Sequence, residues 1–126
     1  MLEPGLDATV QDRVTESMTA VAFGSGDVPV LGTPAVLALA ERAACAAIEG
    51  RLDEGDTTVG SAVELAHLAP TPVGSSVRAR ARLTRVDGRK LEFEFSVSDD
   101  SGEVARGRHG RVIVSREEFL RGMAGR

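Results

Sequence analysis

Residues 35–48, AVLALAERAACAAI, are apolar throughout except for Glu41 and Arg42. A helix apolar on nearly every side belongs in the interior of a fold rather than on its surface. Thr33 suits the N-cap and Pro34 the first helical position, and Gly50 supplies a stop signal, so the helix is expected over roughly 34–49. Glu41 then sits where an ionised group is costly unless something pairs with it or uses it.

Around this helix the pattern is that of strands. Residues 7–17 (DATVQDRVTES) alternate loosely and form a first strand, followed by a Gly-rich irregular loop over 23–32 (FGSGDVPVLG). Beyond the acidic turn RLDEGD, residues 57–68 (TTVGSAVELAHL) form a strand that APTPVG closes. In 76–86 Val77, Ala79, Ala81 and Leu83 share one face, and Arg78, Arg80, Arg82 and Thr84 the other. Asp87–Gly88 is a hairpin signal. Leu91, Phe93, Phe95 and Val97 then alternate with Glu92, Glu94, Ser96 and Ser98, and DDSG leads into a last strand over 103–115. The tail REEFLRGMAGR has the makings of a short helix. One-sided alternation argues for an antiparallel sheet with one covered face. Strands segregated from the long helix give an α+β class, an antiparallel sheet wrapped around one central apolar helix, which is the hotdog arrangement. One sheet cannot cover a helix that is apolar all round, so a homodimer is expected, with sites near the subunit interface.

Composition narrows the functions. The chain has 126 residues, 42% hydrophobic and 27% charged, as expected of one globular domain over 1–126. Four Phe and no Trp or Tyr leave the core to aliphatic residues and remove base stacking, and a net charge of −4 gives no support for nucleic-acid binding. Cys45, the single cysteine, has no disulfide partner and reads as a small buried hydrophobe, and no Cys/His cluster suggests a metal. MLEPGLDATV lacks the basic and apolar regions of a secretion signal. The longest apolar run is too short to span a bilayer and is broken by Glu41–Arg42. A cytoplasmic protein without a membrane partner is expected.

Few residues can carry chemistry. A buried Glu41 would have its carboxyl moved toward the range of a general acid or base, and a carboxylate can also attack a thioester directly. The alternative is a structural ion pair with Arg42, Arg51 or a sheet arginine. His67, at a strand end, could transfer protons near neutral pH or be structural. Thr33 could cap the helix, and its place at a helix N-terminus also suits a developing oxyanion. Gly107, His109 and Arg111 in GRHGR share one face of the last strand under strict alternation, a pattern usual for a solvated face. Arg78, Arg80, Arg82, Arg85, Arg89 and Lys90 form a basic patch, read as an exposed polar strand face rather than a phosphate site.

Taken together, Thr33, Glu41 eight residues later and His67 after a further 26 resemble the Thr/Glu/His triad of the fluoroacetyl-CoA thioesterase family of hotdog proteins. Gly60 falls where that family has a substrate-site glycine, and GRHGR resembles its final-strand G-x-H-x-R, which puts Arg111 at a substrate-contacting position. The PTPVG turn and the VDGRKLEF hairpin are similar too, and the likeness covers roughly residues 30–115. The resemblance implies hydrolysis of a small acyl-CoA. Helix N–H groups and Thr33 would polarise the carbonyl, Glu41 would act as nucleophile or general base, His67 would assist proton transfer, and Gly60 and Arg111 would shape the acyl end. No metal or cofactor is implied, since CoA enters as part of the substrate. Where the family's fluoroacetyl-specific member has a phenylalanine-rich lid, this chain has GSGDVPVLG with Phe23 the one aromatic nearby, so the acyl group stays open. A non-catalytic acyl-CoA-binding module is the alternative. A hydratase would need an Asp and His at a close spacing that this sequence does not show.

Overall fold

The computed structural model describes residues 2–125. Within them the order is β1 (Asp7–Arg13), a 3-10 turn (Glu16–Met18), α1 (Ala20–Phe23), α2 (Thr33–Ala47), β2 (Asp56–His67), β3 (Ser76–Asp87), β4 (Lys90–Asp99), β5 (Gly102–Ser115) and α3 (Arg116–Met123). The strands form one antiparallel sheet in the order β1-β3-β4-β5-β2. Strands β3, β4 and β5 are a meander. β2 directly precedes β3 in the chain yet does not pair with it, lying at the far edge beside β5. The β3–β4 turn falls on Gly88–Arg89, one residue later than the Asp87–Gly88 dipeptide suggests, with Gly88 at φ +60°. A glycine at the first central position suits the twist of a two-residue hairpin.

The core lies between α2 and one sheet face. Val77, Ala79, Ala81 and Leu83 of β3 and Leu91, Phe93, Phe95 and Val97 of β4 are buried, and meet Ala35, Val36, Leu39, Ala40, Ala43, Ala44 and Ala47 of α2. α2 packs chiefly on β1 and β3, less on β4 and β2, and least on β5. Its coverage is therefore lopsided. Ala38, Arg42 and Cys45 are exposed, so neither the all-round burial expected of the helix nor that of Cys45 is observed in the single chain. The reason is geometric: one sheet covers one side of a cylinder. Beside β1, Asp12 accepts a hydrogen bond from the exposed Arg42 at 3.0 Å, tying the edge strand to the helix. The Arg13 N–H and then the Arg42 guanidinium hold its carboxyl below the usual carboxylate range.

Two further expectations need correction. β1 ends at Arg13 rather than near residue 17, the 3-10 turn and α1 follow it, and α1 takes in Phe23, the first residue of the expected loop. Gly107, His109 and Arg111 do not lie on a solvated face; His109 and Arg111 are buried. The basic patch of β3 is indeed on the outer face, but it is interleaved with acids. Directly opposed residues run Asp7, Arg82, Glu94, Arg108, Glu64 across all five strands, alternating in sign. Such cross-strand pairs favour the register. Among the described residues, no helix is long and apolar enough to cross a membrane.

Candidate active site

Thr33, Leu37, Glu41 and Cys45 lie four residues apart on α2 and so form one stripe along it. That stripe borders the part of the sheet that α2 leaves open, the β5–β2 edge. The spacing of eight between Thr33 and Glu41 thus means one face of one helix, with about 12 Å between their Cα positions along the axis.

At the N-terminal end, Thr33 is not the N-cap. Gly32 is, in an extended conformation, with its carbonyl accepting from the N–H groups of Ala35 and Val36. Thr33 occupies the first helical position, and its hydroxyl meets His67 Nδ1 of β2 at 2.9 Å. A tertiary partner has replaced the local capping bond. The hydroxyl can donate to this nitrogen or accept from it. His67 Nε2 is buried and has no hydrogen-bond partner among the described residues. Pro34 has no N–H, and those of Ala35 and Val36 are taken. The first turn therefore offers the Thr33 N–H as its donor for a bound carbonyl.

Two turns on, Glu41 is held from the sheet. Arg111 Nη1 of β5 donates to Glu41 Oε2 at 3.1 Å. Of the alternatives Arg42, Arg51 and a sheet arginine, the sheet arginine is the partner. The Glu41 side chain is 39% exposed, so the burial expected of it is not observed. It stands instead at the mouth of a cleft of about 250 Å³ lined also by Leu37, Gly60, Val63 and His109. Arg111 is fixed by more than this pair. Its Nε donates to Thr58 Oγ1 at 2.9 Å, its Nη2 to the Thr58 carbonyl at 3.1 Å, and its Nη1 also meets His109 Nε2 at 3.1 Å. Thr58 escapes a reading of the sequence, since its contact comes from a strand paired with β5. The sequence names His109 within GRHGR but gives it no role, and its contact with Arg111 comes from the same face of β5.

Gly60 belongs to the same cluster. A Cβ placed on it would lie 2.7 Å from Glu41 Oε2 and 3.3 Å from the His109 ring. Gly60 and His67 are seven residues apart and would point to opposite faces of a regular strand. They share a face because β2 is bulged: Gly60 opposes Arg111 and Ala62 opposes Gly110, leaving Ser61 as an extra residue. A one-residue slip exchanges the faces of all that follows. The structure thus joins Thr33 to His67, and Glu41 to Arg111, His109 and Gly60. No hydrogen bond or ion pair links Glu41 to Thr33 or His67 among the described residues. A larger hollow of about 610 Å³ on the outer face, over Gly107, is edged by Glu64, Glu94, Arg106 and Arg108 and holds none of these groups.

A long helix held against a five-stranded antiparallel sheet is the hotdog fold of the thioesterase superfamily, and solved structures share it closely. The chain belongs to the fluoroacetyl-CoA-specific thioesterase family, whose sequence profile matches residues 14–117. A fluoroacetyl-CoA thioesterase from Streptantibioticus cattleyicolor is 33% identical over 90 residues, which make up 71% of this chain and 65% of that protein, so slightly under two thirds of that relative's length is matched. A structure of the fluoroacetyl-CoA thioesterase FlK superposes with a TM-score of 0.94 at 26% identity, covering 100% of this chain and 98% of that one. A FlK variant solved with fluoroacetate and CoA superposes at 0.88 with 27% identity, covering 94% and 99%. A thioesterase superfamily member from Thermus thermophilus gives 0.89 at 27% identity, covering 99% and 95%.

Proposed function

We propose that this protein hydrolyses a small acyl-CoA thioester to the free acid and CoA. Membership of the thioesterase family supports the reaction, and the observation that carries the mechanism is Glu41, a carboxylate pinned by Arg111 at the mouth of a cleft on the same helix stripe as Thr33. The Thr33 N–H and hydroxyl, at the positive end of α2, bind the thioester carbonyl and stabilise the oxyanion. Glu41 either attacks the carbonyl carbon, expelling CoA thiolate and leaving an anhydride that water cleaves, or takes a proton from the attacking water. His67, oriented through Nδ1 by Thr33, has Nε2 to move a proton to the leaving sulfur or from water. Gly60 and Arg111 shape the acyl end beside Glu41. CoA is substrate, and the reaction as written uses no metal or cofactor.

A homodimer is part of this reading. Along the stripe of α2, Thr33 and Cys45 are exposed and Leu37 and Glu41 half-buried, Val63 on β2 is 43% exposed, and the outer edge of β2 bears no strand among the described residues. A second copy would close the cleft.

The test is thiol release by Glu41→Ala across a panel of short acyl-CoAs. The expected result is a loss of turnover of roughly a thousandfold or more, the scale seen when a reacting group is removed. Unchanged turnover would overturn the reading, and binding without turnover by the wild-type chain would favour an acyl-CoA-binding module. Oxygen-18 incorporated into Glu41 in a single turnover marks it as nucleophile, and unlabelled Glu41 marks it as base.

A further inference from the structure

His109 is buried at the centre of the Glu41 cluster, and no step above uses it. Its Nδ1 lies 2.8 Å from the carbonyl oxygen of Ala62. A carbonyl oxygen accepts and never donates, so Nδ1 carries the proton of this hydrogen bond. Its other nitrogen, Nε2, faces Arg111 Nη1 at 3.1 Å. A guanidinium N–H donates and never accepts, so Nε2 presents a lone pair. Both neighbours therefore select the same form of the ring, protonated on Nδ1 and open on Nε2. The 3.8 Å between Nε2 and Glu41 Oε2 is too long for a hydrogen bond, and this approach is not an ion pair in that form. The ring also stacks on Phe93, with centroids 6.3 Å apart.

Resting on the hydrolase reading above, we infer that His109 is a positioning residue: an acceptor brace that aims Arg111 at Glu41 and ties that aim to the β2 bulge. Arg111 has five N–H groups, and the bonds to Thr58 Oγ1, the Thr58 carbonyl, Glu41 and His109 occupy four of them. Nη1 carries two of those bonds, one to Glu41 and one to His109. With the His109 acceptor in place, the two Nη1 hydrogens have separate destinations, and the guanidinium plane is fixed with one edge on Glu41. Without it, a buried N–H loses its partner, and the guanidinium has a reason to turn away from the carboxylate. Ala62 directly follows the bulged Ser61, so the Nδ1 bond also fastens β5 to the irregular part of β2. His109 thus couples the strand irregularity that puts Gly60 and His67 on one face to the orientation of Glu41.

Two measurements test this, one of them independent of turnover. In the wild-type protein labelled with nitrogen-15 histidine, long-range proton–nitrogen spectra at neutral pH should show His109 as the Nδ1–H tautomer. An Nε2–H ring, or a ring protonated on both nitrogens, overturns the proposal. In thiol-release kinetics, His109→Phe keeps a ring against Phe93 but removes both hydrogen bonds. It should lower kcat roughly ten- to a hundredfold, with a smaller change in KM. His109→Gln, whose amide oxygen can reach Arg111, should recover most of that loss. Wild-type kcat in His109→Phe, or a His109→Gln protein as impaired as a folded His109→Phe, overturns it. Should His109→Phe fail to fold, the wild-type spectra and the His109→Gln kinetics still decide the matter. Absence of thiol release from the wild-type protein itself would remove the hydrolase reading, while the tautomer would still be decided by the spectra.

Discussion

Gly60 and Gly107 show how differently two glycines in neighbouring strands are constrained. A Cβ at Gly60 would meet Glu41 Oε2 at 2.7 Å, the far end of a side chain that can swing aside. A Cβ at Gly107 would run into the Glu64 carbonyl oxygen and fall 2.8 Å from Phe95, so the strands themselves must part. Gly60→Ala should therefore fold with an unfolding free energy within about 1 kcal/mol of wild type, yet lose roughly tenfold or more in kcat as Glu41 leaves Arg111. Gly107→Ala should show the reverse priority, with thermal unfolding shifted well down. Melting curves set beside thiol-release rates check both. The position of Gly60 was legible from its spacing to His67 through a family resemblance. Its reason was not, because the atoms that crowd it come from α2 and β5, distant in sequence.

β2 carries the feature on which the site depends most. Gly60 faces Glu41 and His67 faces Thr33 because the strand holds one residue more than its partner. Deleting Ser61 should leave a regular strand in which Gly60 and His67, then six residues apart, still share the helix-facing side. Turnover should then stay within about tenfold of wild type, while inserting one alanine after Leu65, which turns His67 to the other face, should lower it by at least about a hundredfold. Comparing the two variants by thiol release, with circular dichroism to establish the sheet, checks this. The segment 57–68 is readable as a strand, but TTVGSAVELAHL has no steady alternation from which a bulge could be placed. β3 and β4, by contrast, alternate cleanly, and their buried residues are those that the alternation picks out. The long helix was legible from its apolar run. Its cap was misplaced by one residue because Thr-Pro is a good start by residue type, whereas here Gly32 supplies the cap and the Thr33 hydroxyl is engaged by His67.

Across the molecule, α2 is covered on one side and open on the other, and sequence could not say which side. Nearly every α2 position is apolar, so burial leaves no contrast to read. The contrast lies in the strands that the helix faces. If a second copy covers the open side, the protein should sediment at twice its 13.2 kDa chain mass. Val63→Lys, placing a charge at the exposed edge, should shift it toward the monomer, as analytical ultracentrifugation would show. The alternating row Asp7, Arg82, Glu94, Arg108, Glu64 has a consequence for how ligands arrive. Opposite charges in adjacent strands cancel within a few ångströms, so this face projects little potential beyond a Debye length, about 8 Å at physiological salt. With a net charge of −4 besides, the chain has no long-range field to draw in a molecule bearing several phosphates. On the proposed reaction, encounter would be left to diffusion, and selection among acyl groups to the short-range contacts inside the cleft.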